Sequence, residues 1–393
     1  TPATLRRDRP ILWQCVLAVS TKSLPRRQAL GSHLRALFAE KLIIQHERSL
    51  DLLLGLLTYI GWANLQMGAQ QLFLCMYCHL LTALVQDLGL DQAPKRSGEP
   101  HPMSCIKPQG LVTRLPFSVA CTMEARRAAV ATFVITSEIV SFRAFAFHQV
   151  LDGLRWTPQM DEHLHVLRAV QESPSDAILA HMAQLKLIGN EATRSIYAHP
   201  PQPPDRRLRS LQIFQVNSLQ LRLESLTTEA SARLDSNGTS RADILRLHTI
   251  NAELEIHEVS LYQMQSDASS AAPDMERIAM LSRCVQAARA WFDIFFGLEP
   301  ATYTMFGFSI WAQLSHLVVS IYRLTLLNEP SWDKDMVRRT IDLSQVLDEM
   351  LNRVGSRSHP AGSEEVADNR EAMFYLVKGI KTIKAAWGPL LAP

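Results

Sequence analysis

The chain has 393 residues, 47% of them hydrophobic, with 40 basic and 38 acidic side chains and a net charge of +2. That is enough apolar material for a large core, in one large helical array or about two domains. The balanced charge excludes the clustered basic excess of a nucleic-acid surface, and the paired arginines (Arg6-Arg7, Arg126-Arg127, Arg206-Arg207, Arg338-Arg339) read as solvated helix faces or ends.

Apolar residues recur at spacings of three and four along nearly every long segment, as in Leu30, Leu34, Leu37, Phe38 and Leu42. Strong strand patterns are missing. The fold class is therefore all-α: a large irregular array of about a dozen helices, which could form two packed subdomains. The N-terminal part predicts helices over 10–20, 26–47, 49–65 and 69–88, the last closed by Gly89. The Pro- and Gly-rich stretch 91–116 reads as a long loop. A helix over 122–149 follows.

Arg155-Trp156-Thr157-Pro158 then breaks the pattern. This corner could be an active-site loop, a binding surface or a helix start. Local chemistry favours the last: Thr157 can cap, Pro158 suits the first helical position, and Asp161 and Glu162 suit the positive end of the dipole. Trp156 is expected to bury its ring, with Arg155 covering apolar surface nearby. The helix runs over 158–171, and the next, capped by Ser175, extends to Tyr197. "AHPPQPPDRR" (198–207) is the sharpest punctuation, since its prolines cannot continue a helix; it either divides the chain into halves 1–200 and 201–393 or merely links two packed helices. Helices over 208–234, 240–265, 274–297, 302–328, 333–353 and 369–386 complete the pattern, with Ser331 or Asp333 capping the fifth of these. No fixed-period repeat is visible.

No stretch reads as apolar enough for a bilayer. The best, from Ser49, carries Asp51 and Asn64 and reads as a core helix. No signal peptide opens the chain, and a start at Thr1 reads as an excised piece of a longer protein. Cys15, Cys75, Cys78, Cys105, Cys121 and Cys284 are widely spaced, as reduced thiols in an intracellular compartment would be. "NGT" at Asn237 is then only a turn.

Cys75 and Cys78 form a CxxC, but it lies mid-helix between leucines and has no second pair to complete a zinc site, so core packing is the reading. HExxH, GxSxG, GxxxxGK and adjacent aspartates are all missing, so no catalytic residue and no metal ligand is assigned. His163 and His165 point to different sides of their helix and read as surface residues. Aromatics are dense at Trp291, Phe292, Phe295, Phe296, Tyr303, Phe306, Phe308 and Trp311, and again at Phe142, Phe145 and Phe147. They read as core or as an apolar effector pocket, lined by Phe142, Phe145, Trp291, Phe295, Phe308 and Trp311, with Arg143 or His148 as polar handle and Gln313 and His316 nearby.

The ordered set "DRPILWQCVLAVS", "LGSHLRALFAEKLIIQHERSLDLLLGLLTYIGWAN", "LVQDLGL", "EARRAAVATFVITSEIVSFRA", "LRWTPQMDEHLHVL", "SPSDAILAHMAQLKLI" and "NEPSWDKDMVRRTIDLSQVLDEM" resembles the fungal-specific transcription factor domain, or middle homology region, of zinc-cluster (Zn2Cys6) regulators. The resemblance implies an all-α regulatory domain in the nucleus, following a DNA-binding zinc cluster and a dimerising segment. It implies a homodimer of the full-length protein, contacts with transcriptional co-regulators, and control by a small apolar effector. Zinc and DNA contact are expected only through the zinc cluster, which the dispersed cysteines of this chain do not supply. No cofactor and no membrane partner are expected, and the corner becomes a structural landmark. The competing readings are a helical protein–protein interaction scaffold with no small ligand and, more remotely, an all-α enzyme.

Overall fold

The computed structural model describes residues 2–21, 23–62, 74–93, 122–147, 149, 151–197, 206–234, 240–262, 274–329, 331–355 and 364–391. Most of the loop at 91–116, the proline-rich stretch after Tyr197, Asn237, Cys105, Cys121 and His148 lie outside them. Among the described residues every regular element is helical. Packing divides the chain into two compact units, Thr1–Val140 with Leu151–Ala183, and Ser141–Val150 with Gln184–Pro393. The division falls inside a helix, ahead of the proline punctuation read in the sequence, because contacts between helices and not chain breaks define the units.

The first unit holds α1 (Pro2–Asp8), α2 (Pro10–Ser20), α3 (Leu24–Phe38), α4 (Leu50–Gly61) and α5 (Leu74–Asp87). It also takes α6 (Met123–Phe147) as far as Val140, α7 (Pro158–Val170), and α8 (Pro174–Tyr197) as far as Ala183. A π-helical turn, Ala39–Ile44, ends the run expected as one helix to residue 47. Asp51 docks α4 on α2: its carboxylate is 8% exposed and accepts from the backbone N–H of Ile11 at 2.9 Å and of Leu12 at 3.0 Å. Those N–H groups belong to the first turn of α2, which has no intrahelical partner for them. Ser49 caps α4 itself through Leu52 N. After α5, Gly89 takes φ 70°, a left-handed conformation that glycine adopts without strain.

Cys78 is fully buried in α5 and burial, then the neighbouring Cys75, pushes its thiol up to about 12, as for a packing residue. Contrary to expectation, one helical segment, Met123–Phe145, is long and apolar enough to cross a bilayer by length and composition; 72% of its most apolar window is buried within the protein, as in a core helix.

The corner departs from expectation in its details. Pro158 does open α7, but the Thr157 hydroxyl does not cap it. It donates instead to the Asp91 carbonyl at 2.6 Å, tying the corner to the chain after α5. Trp156 is half-buried: its ring meets Phe133 edge-on at 4.7 Å and its Nε1 donates to Asp161 at 2.7 Å. Arg155 is exposed. Ser173, not Ser175, starts α8: its Oγ accepts from Ser175 N, and the Asp176 carboxylate accepts from Ser173 N at 3.0 Å. Asp176 is also held by Arg127, which keeps its carboxyl below the usual range.

Thr157→Val should therefore cost about 1 kcal/mol, one hydrogen bond to a carbonyl. Trp156→Ala should cost about 2 kcal/mol, less than the ~3–5 kcal/mol of a core tryptophan. Urea unfolding of both variants measures this; a Trp156→Ala loss above that of a core ring would mean the side chain is fully enclosed.

Candidate functional site

The second unit holds the end of α6 from Ser141, α8 from Gln184, α9 (Arg206–Leu234), α10 (Ser240–His257) and α11 (Val259–Tyr262). It continues with α12 (Met275–Gly297), a 3₁₀ turn at Pro300–Met305, α13 (Phe308–Leu326), α14 (Lys334–Thr340), α15 (Leu343–Gly355) and α16 (Glu364–Leu391). The sequence-level helix over 240–265 is interrupted at Glu258, and that over 333–353 at Ile341, whose φ of −138° is extended. Asp342 then caps α15 through Ser344 N, and Asp333 caps α14 through Met336 N. A large hydrophobic core lies here, around Leu281, Cys284, Trp291, Leu317, Ile321 and Val337.

The aromatic residues expected to line one pocket fall into two groups. Trp291, Phe295, Phe306, Tyr303 and Trp311 pack ring on ring. Phe295 stacks on Trp291 at 5.0 Å and on Tyr303 at 4.8 Å, and meets Trp311 edge-on at 6.3 Å. In the other group Phe142 meets Phe308 at 5.8 Å and Phe147 at 5.6 Å, both edge-on. Phe142 and Arg143 are half-buried, Phe147 is 53% exposed, and the Arg143 guanidinium lies 5.2 Å from the Phe147 ring centroid. Phe145, fully buried, stacks on His316 at 3.9 Å.

Sequence reasoning named Gln313 and His316 near these rings but missed the buried carboxylates beside them. Glu258 has no exposed surface, and its carboxylate receives His316 Nε2 and Ser320 Oγ, each at 2.5 Å. His316 and Ser320 are one turn apart on α13, so one carboxylate fixes the register of that helix. One turn before Glu258, the equally buried Glu255 accepts from Asn251 at 3.0 Å and faces Lys186 of α8 at 3.6 Å. A Cβ on Gly189 would lie 1.9 Å from Glu255, so only glycine admits the carboxylate there. Gln313 joins Trp291 Nε1, at 3.4 Å, to His248 Nδ1, at 2.7 Å. Trp311 Nε1 and both ring nitrogens of His257 are buried without a hydrogen-bond partner. The pattern that could have pointed to this was Glu255, His257 and Glu258 interrupting an apolar face.

In the first unit His163 is buried, against the surface reading, while His165 is exposed. Arg126 donates to His163 Nδ1 at 3.0 Å and His163 Nε2 donates to the Leu90 carbonyl at 2.8 Å. That pair of contacts requires the neutral imidazole, and burial lowers its proton affinity further. Among the described residues no three His, Cys, Asp or Glu side chains converge as metal ligands.

Buried His257 makes folding pH-dependent. Burial, and then the charge of Arg283, lower its pKa from 6.5 to about 4. Between those values the unfolded chain binds more protons than the folded one. Stability present above pH 6.5 is therefore lost as the pH falls towards 4, by up to about 3 kcal/mol from this residue. Thermal unfolding from pH 7.5 to 4.5 should show the loss, and His257→Leu should flatten it. An equally steep profile in the variant would place the proton uptake elsewhere.

A family model described as a C-terminal domain matches residues 300–390. The chain is 29% identical over 359 residues to "Transcription factor opdL" of Penicillium oxalicum, covering 90% of the chain and 60% of the relative. It is 24% identical over 363 residues to a "Transcription factor" of Aspergillus terreus, covering 89% and 50%, and 23% identical over 393 residues to "Transcription factor himD" of Aspergillus japonicus, covering 98% and 61%. The chain thus spans between 50% and 61% of the length of these curated relatives. No solved structure matches it. Over about nine-tenths of its length or more, the chain is thus similar to fungal proteins named as transcription factors.

Proposed function

We propose that this chain is the regulatory domain of a Zn2Cys6 transcription factor that acts in the nucleus and controls transcription of target genes in response to a small apolar effector. The observation that carries this reading is the end-to-end similarity to named transcription factors that are themselves considerably longer. In this reading a zinc cluster outside the chain reads DNA and holds the zinc, and helical surfaces of the regulatory domain engage co-regulators. The chain itself has no catalytic role.

The effector site is proposed within the second unit. Half-buried Phe142 and Arg143 form its accessible rim, with buried Phe308 beneath Phe142. Phe145, Trp291, Phe295 and Trp311 form its depth, and His148 is retained as a polar handle. The unpaired Trp311 Nε1 supports this placement, because a buried donor without an acceptor costs about 1–3 kcal/mol until a ligand carbonyl or ether oxygen receives it. The preferred effector is therefore aromatic or polycyclic, with one acceptor oxygen. The ring-on-ring packing of Trp291, Phe295 and Tyr303 favours the second reading, an interaction scaffold that takes no ligand.

A thermal-shift screen of apolar aromatic metabolites separates the two. A ligand at a hundredfold excess over Kd stabilises the folded state by about 2.7 kcal/mol. At least one such compound should raise the melting temperature, and Trp311→Phe, which keeps an aromatic ring but removes the N–H, should abolish most of the shift while the variant still folds. An empty screen supports the scaffold.

A further inference from the structure

We propose that His163 is an acid-sensitive latch: neutral, it clamps the chain after α5 onto α6 and α7, and protonated, it lets that clamp open. Side chains of α7 and its corner grip two successive carbonyls of that chain. His163 Nε2 donates to the Leu90 carbonyl at 2.8 Å, and the Thr157 hydroxyl donates to the Asp91 carbonyl at 2.6 Å. On the other side of the ring Arg126 of α6 donates to Nδ1 at 3.0 Å. A guanidinium only donates and a carbonyl only accepts. The two partners therefore fix both the tautomer and the charge of the imidazole, because Nδ1 has to offer a lone pair.

An added proton has one place to go, Nδ1. It consumes the lone pair, turns an N–H towards the Arg126 guanidinium, and sets two cations in contact where His163 is 2% and Arg126 7% exposed. The neighbouring charges are Arg126 from α6, Glu162 from α7 itself, and buried Asp91 from the chain after α5. Glu162 pairs with Arg126 at 3.4 Å, so it stands ready to take the guanidinium when Nδ1 no longer accepts it. Burial lowers the proton affinity of the ring, the Leu90 bond and Glu162 raise it, and Arg126 lowers it, with the net below the ordinary 6.5. The unfolded or opened ring thus takes its proton at a higher pH than the clamped one. Closure is fully favoured above pH 6.5 and is lost as the pH falls through the clamped value. Local opening relieves the clash without disturbing the helices, because Gly89, at φ 70°, is a hinge immediately before Leu90. The latch lies wholly within the first unit and needs no effector.

The test is hydrogen exchange of the full 393-residue chain, followed by mass spectrometry from pH 7.5 to 5.0 and corrected for the pH dependence of intrinsic exchange. Peptides covering Leu88–Asp91 and Met160–Leu164 should exchange about tenfold faster at the acid end, a local opening rather than a global one. His163→Gln supplies a neutral amide that can still donate to the Leu90 carbonyl, and it should keep both peptides protected throughout. His257→Leu, which removes the titration of the second unit, should leave their response in place. Arg126→Gln keeps a donor but removes the charge, and it should move the midpoint of opening to higher pH, which keeps the idea testable if His163→Gln does not fold. No acceleration in the unaltered chain, the same acceleration in His163→Gln, its loss in His257→Leu, or an unmoved midpoint in Arg126→Gln would each overturn the proposal.

Discussion

The second unit depends on a carboxylate placed where water cannot reach it. Glu258 has no exposed surface, and an unpartnered charge there would cost several kcal/mol. The cost is met only when α13 sits in one register, with His316 and Ser320 both facing the carboxylate. The consequences spread outward. His316 stacks under Phe145, and Arg323, further along α13, donates to the Phe145 carbonyl at 3.1 Å, so the end of α6 is held by the same helix. One turn earlier on α10, Glu255 aims at α8, where Gly189 leaves room for it. Two carboxylates three residues apart thus fasten α10 to two different neighbours.

The first unit uses the same device on a smaller scale. Asp51 receives the first N–H groups of α2, and neutral His163 links Arg126 to the Leu90 carbonyl. Apolar periodicity alone lets a helix slide or rotate by a turn at little cost. Buried polar groups with directional partners remove that freedom, because each misregistered packing leaves a group unsatisfied. In this array, whose helices are otherwise joined by aliphatic and aromatic contacts, they select one arrangement.

This division of labour explains what the sequence reveals. Helix positions are carried by local spacing, so α2, α4, α7, α12 and α13 are readable from it, as are the left-handed Gly89 and the capping Asp333. Partners distant in sequence are not. Thr157 looks like a cap because caps are local, yet its hydroxyl serves Asp91, 66 residues away. His163 looks exposed because its neighbours His165 and Glu162 are polar and exposed. Ile341 carries a helical pattern, and only the cap offered by Asp342 breaks it. Among the aromatics, density in sequence indicated proximity, but it could not show that Phe142 meets Phe308 while Trp291 stacks on Phe295. For Glu258 the local mark is only the interruption of an apolar face by Glu255, His257 and Glu258, which does not name its partners on α13.

The proposed effector reading and the polar interior bear on the same question, how such a domain would respond to a small molecule. A core fixed by directional contacts has discrete alternatives rather than a continuum, and under the proposed function a ligand that satisfied an orphaned donor such as Trp311 Nε1 would favour one of them. The most direct test is native mass spectrometry of the chain purified from a fungal host. The account predicts a species heavier than the polypeptide by one small organic molecule, released on denaturation. A mass equal to the polypeptide alone, from material that is folded and fully soluble, would contradict it.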